Sequence, residues 1–160
     1  MLTVRTKSVD ETRALAAALA ELARPHDLLL LAGDLGAGKT AFAQGFGRGL
    51  GVDDQITSPT FTLAREYDGT RLRLHHLDVY RFEAMAEVFD VALPELLDDD
   101  AVVLVEWGDA IAPAVPADFL EVRLSLGDDD DERHIELRSV GPSWAARTRA
   151  LTTVLEPWAG

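Results

Sequence analysis

Apolar and polar positions follow several rhythms along this chain, and each rhythm predicts a different element. The runs "LLLLA" (28–32) and "AVVLV" (101–105) are continuously apolar, the pattern of strands covered on both faces. "FTLAREY" (61–67) and "RLRLHHLD" (71–78) alternate, with "DGT" between them as turn chemistry, which predicts a hairpin of half-buried strands. "DFLEVRLSL" (118–126) and "RHIELRSV" (133–140) predict a second hairpin around "GDDDDE", and "TVRTK" (3–7) a short edge strand. "ETRALAAALAELA" (11–23) predicts a helix opened by a Ser-x-x-Glu capping box, Ser8 to Glu11. "TAFAQGFGRGLGV" (40–52) has apolar residues at helical spacing and ends in glycines. "FEAMAEVFDVALPELL" (82–97) reads as a helix interrupted at Pro94, and "SWAARTRALTTVLE" (143–156) as one closing helix. Buried parallel-type strands, helices and two antiparallel hairpins predict an α/β fold with a mixed sheet.

Composition narrows this picture. A length of 160 residues, 48% of them hydrophobic, suits one domain, 1–160, with a sizeable core. There is no cysteine, so neither a disulfide framework nor a thiolate metal site is available. No apolar run has the length of a membrane span and the start "MLTVRTKSVDET" lacks a signal-peptide core, so a cytoplasmic protein is expected. A net charge of −13 opposes broad binding to nucleic acid, which needs a basic face. The arginines Arg65, Arg71, Arg73 and Arg81 around the first hairpin are the candidate local exception. Asp128 to Asp131 read as a solvated hairpin tip.

The chemistry concentrates after the first buried strand. "GDLGAGKT" satisfies Gly33-x-x-x-x-Gly38-Lys39-Thr40, the phosphate-loop pattern, and it joins a predicted strand to a predicted helix. Glycines admit the backbone angles that let successive N–H groups converge on phosphate oxygens. The helix start adds partial positive charge. Lys39 offers a mobile charge to the outer phosphates and Thr40 a hydroxyl for magnesium. The chain contains no asparagine and therefore no Asn-Lys-x-Asp guanine reader, which favours adenine. Two acids end predicted strands, Asp78 after "RLRLHHL" and Glu106 after "AVVLV", the second in the manner of a Walker B strand. Their plain alternative is a solvated strand end. His75 and His76, with no cysteine partner, make a weak metal pair, and at least one is better read as a hydrogen-bonded hairpin histidine. "SPTFT" (58–62) is a loop that could supply hydroxyls as a switch segment.

Taken in order, "GDLGAGKT", "SPTFTL", "HLDVYR" and "LVEWGD" resemble the TsaE family, small bacterial P-loop ATPases needed for the threonylcarbamoyl-adenosine modification of tRNA. The resemblance runs over about residues 8 to 110 and extends to a compatible hairpin and helix. It implies a P-loop NTPase-type three-layer fold, weak magnesium-dependent ATPase activity and a complex with the TsaB–TsaD transferase. Through that complex alone would the chain meet tRNA. By motif it places ATP on Leu35, Gly36, Ala37, Gly38, Lys39 and Thr40, with Glu11 and Trp107 nearby. It places magnesium (Mg2+) on Thr40 and Glu106, and catalysis on Lys39, Asp78 and Glu106, with Arg81 the first candidate for an arginine finger. Either Asp78 or Glu106 could orient water. The rival classes are a small-molecule kinase using the same loop and a nucleotide-sensing interaction module.

Overall fold

The computed structural model describes residues 1–34, 36–56, 64–78, 93–106 and 115–159. The segments "SPTFT" and "VYR" of the motifs, together with Leu35 and Trp107, lie outside them. Strands β1 (Leu2–Thr6), β2 (Leu28–Gly33), β3 (Ala64–Tyr67), β4 (Arg73–Asp78), β5 (Ala101–Glu106), β6 (Phe119–Leu126) and β7 (Arg133–Val140) form one sheet in the order β1-β7-β6-β2-β5-β4-β3. The sheet is mixed. β2 runs parallel to both its neighbours, β5 and β6, and β4 runs parallel to β5. The β6–β7, β1–β7 and β3–β4 pairs are antiparallel. Among the described residues, the helices include α1 (Val9–Ala20), α2 (Lys39–Gly49), the short α3 (Pro142–Ala145) and α4 (Thr148–Leu155), which runs on into a 3-10 turn at Glu156–Trp158. Among the described residues, no helix is long and apolar enough to cross a membrane.

The continuous apolar runs are explained by their position. β2 and β5 lie at the centre, and alternate side chains feed two cores. Leu29, Leu31, Val102 and Leu104 face Leu15 and Leu19 of α1, Phe42 and Phe46 of α2, and Trp144, Leu151 and Leu155. Leu28, Leu30, Val103 and Val105 face the other way, onto Leu77, Phe119 and Leu93. Residues 93–98 are helical with Pro94 among them, and the rest of the helix expected over 82–97 lies outside the described residues.

Two expectations are corrected. The alternation in "RLRLHHLD" predicted a half-exposed hairpin strand, yet Leu74 to Asp78 are all buried. β4 is an interior strand, with β3 on one side and β5 on the other, so its polar positions are interior too. The closing segment is two helices, separated at Arg147, whose backbone (φ −104°, ψ 12°) leaves the helical region. The side chain accounts for this. Arg147 Nη1 and Nη2 meet Asp27 Oδ2 and Oδ1 at 2.6 and 2.7 Å in a buried two-pronged pair, and Nη1 also donates to Leu22 O at 3.1 Å. The guanidinium lies 4.2 Å from the centre of the Trp144 ring. The C-terminal helices are thereby tied to the turn that leads into β2.

The N-terminal cap of α1 forms as expected, with Ser8 Oγ accepting from Glu11 N at 3.1 Å. Its reciprocal bond falls one residue early, from Lys7 N to Glu11 Oε1 at 3.4 Å. α2 packs on α1 through glycines. A Cβ on Gly45 would collide with the carbonyl of Arg13, and one on Gly49 with Ala17 O and Ala20 Cβ. Gly45 thus faces Arg13 and Gly49 faces Ala17, four residues on in each case, so the two helices run parallel with both N-termini at one end. Helix propensity alone would favour Ala over Gly by about 1 kcal/mol. Here the backbone collision outweighs it, and Gly45→Ala is expected to cost about 1–3 kcal/mol net. Urea unfolding checks this, with a lowered midpoint at unchanged slope expected. A midpoint at or above that of the parent would contradict the close packing.

Candidate functional site

The site is built where three parallel strands end. β2 delivers the glycine loop, and α2 carries the chain away from it. Gly38 caps that helix in the left-handed region (φ +103°), where a side chain would be strained, and Gly36 is at φ +82°. Gly33 (φ +145°) approaches β6 so closely that a Cβ there would collide with Leu124 O. The amides at the start of α2 are left without helical carbonyl partners, as in every helix first turn. This is a ready anion site. Lys39 is 6% exposed, and its ammonium donates to Gly33 O at 2.6 Å and Asp34 O at 2.9 Å. The charge is thus held against the strand end from which the loop departs. Thr40 is half-buried in the first turn of α2.

The two strand-end acids stand next to each other. Asp78 and Glu106 are direct partners in the β4–β5 ladder. They are 6% and 3% exposed, so neither is a solvated strand end. By the alternation of the strands both share a face with Leu74, Val102 and Leu104, the face that packs α2. The histidine pair divides across the sheet. His76 is fully buried on the α2 face, and its Nε2–H donates to Glu106 Oε2 at 2.7 Å. Its Nδ1 has no partner among the described residues. His75 points to the other face, with Nε2 3.0 Å from Asp99 Oδ2. That bond, supported by Arg73, holds the Asp99 carboxyl below the usual carboxylate range. The two imidazoles cannot share a metal across the sheet.

Among the described residues, no group of three or more histidines and acids could hold a metal ion by itself. Asp78 and Glu106 are oxygen donors, the type magnesium takes when phosphate and water complete its shell. Glu11 lies in the first turn of α1, at the same end of the parallel helix pair as the loop, and its carboxylate serves the cap. Sequence reasoning missed two residues. The His76 bond to Glu106 joins strands 30 residues apart. Arg133, the first residue of β7, donates from Nε to Ala37 O at 3.1 Å and from Nη2 to Gly36 O at 3.3 Å. An alternating strand gives no sign of either, because both depend on strand order and register.

The arginine cluster of the first hairpin is largely spent. Arg73 pairs with Asp68, Asp99 and Glu66 at 3.0–3.2 Å, which pushes its already high pKa further up. Arg71 donates to Ala20 O and Ala23 O at the end of α1. Arg65 is exposed and Arg81 lies outside the described residues. The Asp128–Asp131 tip is exposed throughout, as expected.

Comparison with known proteins gives a consistent result. The sequence pattern of the family described as threonylcarbamoyl adenosine biosynthesis protein TsaE matches residues 6–135. A Bacillus subtilis (strain 168) protein named tRNA threonylcarbamoyladenosine biosynthesis protein TsaE is 44% identical over 137 residues, covering 86% of this chain and 85% of that one. A Streptomyces coelicolor protein of the same name is 41% identical over 139 residues, covering 83% and 93%. The crystal structure of YdiB from Bacillus subtilis superposes with a TM-score of 0.80 at 38% identity, over 95% of this chain and 94% of that one. The mixed α/β fold expected from sequence is therefore the observed one.

The His76–Glu106 bond can be tested by itself. His76→Leu strands a buried carboxylate oxygen and is expected to cost about 1–3 kcal/mol in urea unfolding. Adding Glu106→Leu removes the stranded group and is expected to return part of that loss. Simple addition of the two losses would show that the pair is not coupled.

Proposed function

The chain belongs to the TsaE family, and from that premise we propose that it is an ATP-binding, weakly hydrolysing subunit of tRNA threonylcarbamoyladenosine biosynthesis, acting on a TsaB–TsaD transferase complex. The observation that carries the ATPase reading is the buried Asp78–Glu106 pair on the α2 face of the sheet, at the strand ends that also deliver the phosphate loop. An open α/β sheet takes its ligands at the carboxyl ends of its strands, and here that place holds two oxygen donors and the start of the glycine loop.

The assigned roles follow from chemistry. Gly36 to Thr40 hold the phosphates, and the Lys39 ammonium, kept at the loop by Gly33 O and Asp34 O, lies within reach of their charge. Thr40 and Glu106 hold magnesium, which when bound would offset charge developing on the transferred phosphoryl oxygens. Glu106 suits a fixed ligand because His76 anchors one of its oxygens. Asp78, its ladder neighbour, is assigned to orienting the attacking water. Leu35, Trp107 and Glu11 complete the nucleotide surface in this reading. A cycle of binding and hydrolysis then changes affinity for the transferase, and the protein works in the cytoplasm beside it.

Lys39→Ala is expected to weaken ATP binding at least roughly tenfold with the fold intact, since a charge-assisted bond contributes about 1.5–3 kcal/mol. Glu106→Gln is expected to keep metal-free nucleotide binding and to lower magnesium-dependent turnover about a hundredfold. Calorimetric titration and phosphate release with and without magnesium check both. Parent-like binding by Lys39→Ala would remove the loop assignment, and superimposable magnesium titrations would remove that of Glu106. A burst of ADP that requires a small-molecule acceptor would instead favour a kinase.

The charge balance makes a separate prediction. With acids outnumbering bases twenty-eight to fifteen and Arg73 already neutralised by acids, free tRNA is expected to bind this chain negligibly at physiological salt. Retention of tRNA is expected when TsaB–TsaD is added in the same filter-binding titration. Micromolar binding by the chain alone would contradict the electrostatic argument.

A further inference from the structure

Arg133, like Arg71, spends its guanidinium on backbone carbonyls, but two of those belong to the glycine loop. Its guanidinium addresses backbone carbonyls: Nε to Ala37 O at 3.1 Å, Nη2 to Gly36 O at 3.3 Å, and Nη1 to Asp130 O and Glu132 O at 2.6 and 2.8 Å. The adjacent Glu132 turns its carboxylate to Arg5 and His134. The register explains how a residue 96 positions away reaches the loop. Gly33 pairs with Leu124 on β6, and two residues further along β6 Leu126 pairs with Arg133. The start of β7 therefore lies across β6 from the end of β2, level with the loop that leaves it.

We propose that Arg133 is a positioning residue of the phosphate loop, fixing the two peptide planes on either side of Ala37 from outside. In a trans peptide the C=O and N–H point in opposite directions. Holding Ala37 O against Arg133 turns the Gly38 N–H the other way, away from Arg133. Holding Gly36 O does the same for the Ala37 N–H, which closes the turn onto Asp34 O at 3.0 Å. The loop needs such a hold because glycines flank both planes, at φ +82° and +103°, and glycine offers little resistance to peptide rotation. A guanidinium suits the task better than an ammonium, since its planar fork reaches two carbonyls at once. The same group bonds Asp130 O and Glu132 O, so the acidic hairpin tip and the loop are held by one side chain.

The inference rests on the nucleotide reading above, and the test separates the two. ADP affinity of the parent, Arg133→Met and Arg133→Lys is measured by calorimetry without magnesium. Urea midpoints are taken alongside, and amide hydrogen exchange of Gly38 is followed with and without ADP. Arg133→Met is expected to bind ADP roughly tenfold more weakly, the equivalent of one charge-assisted bond. Its urea midpoint should stay close to that of the parent, and it should lose the ADP-dependent protection of the Gly38 amide. Arg133→Lys keeps the charge without the fork and is expected to recover only part of the affinity. Parent-like affinity and protection in Arg133→Met, or complete recovery in Arg133→Lys, would overturn the carbonyl-holding role while leaving the nucleotide reading intact. A parent that does not bind ADP would overturn the nucleotide reading and this inference with it.

Discussion

Burying Leu28 to Ala32 on both faces obliges the chain to build a layer on each side of β2, and it obliges the backbone of that strand to find a neighbour along each edge. β5 and β6 satisfy the edges, both in parallel. Helices α1 and α2 cover one face, and the helical residues around Leu93 and Leu97 cover the other. Once those demands are met, the carboxyl end of β2 emerges flanked by the carboxyl ends of β5 and β6, with that of β4 beyond β5. A chain leaving such a strand end must turn sharply over its neighbours, and "GDLGAGK" is the turn it makes. The strand that most needs burial thus also presents the loop.

The parts of the molecule legible in the sequence are those whose cause is local. The glycine loop between β2 and α2 is read from eight adjacent residues because its backbone angles depend on its own glycines. The α1 cap is read from Ser8 and Glu11 for the same reason, and the two apolar runs announce interior strands through composition alone. The missed features depend on contacts made far along the chain. Arg147 breaks the closing helix to meet Asp27, 120 residues earlier. His76 is fixed by Glu106 only because β4 and β5 are neighbours. Arg133 is an ordinary arginine until two registers bring it to Ala37. The alternation of β4 misled for a related reason. Its polar residues have partners inside the fold, so they did not need water.

The acidity of the chain is unevenly placed. Lys39, the start of α2 and Arg133 gather around a single loop, while Asp128 to Asp131 stay exposed at a hairpin tip. Acids consume the charge of several arginines elsewhere, as Glu66, Asp68 and Asp99 do for Arg73 and Asp27 does for Arg147. Net charge describes the field far from the protein, which is screened within about 8 Å at physiological ionic strength. At contact distance, the arrangement of individual groups decides.

The scarcity of lysine has a consequence for anyone who labels or cross-links this protein. The chain holds two side-chain amines, Lys7 and Lys39. Lys7 lies exposed just past the end of β1, whereas the Lys39 amine is buried with its protons directed at two carbonyls. Acylating reagents meet very different reactivity at these positions, so a fluorophore or surface tether carried by a side-chain amine is directed to Lys7. That residue adjoins the cap of α1 and leaves the glycine loop untouched. Thirteen arginines, which such reagents ignore, supply the remaining positive charge.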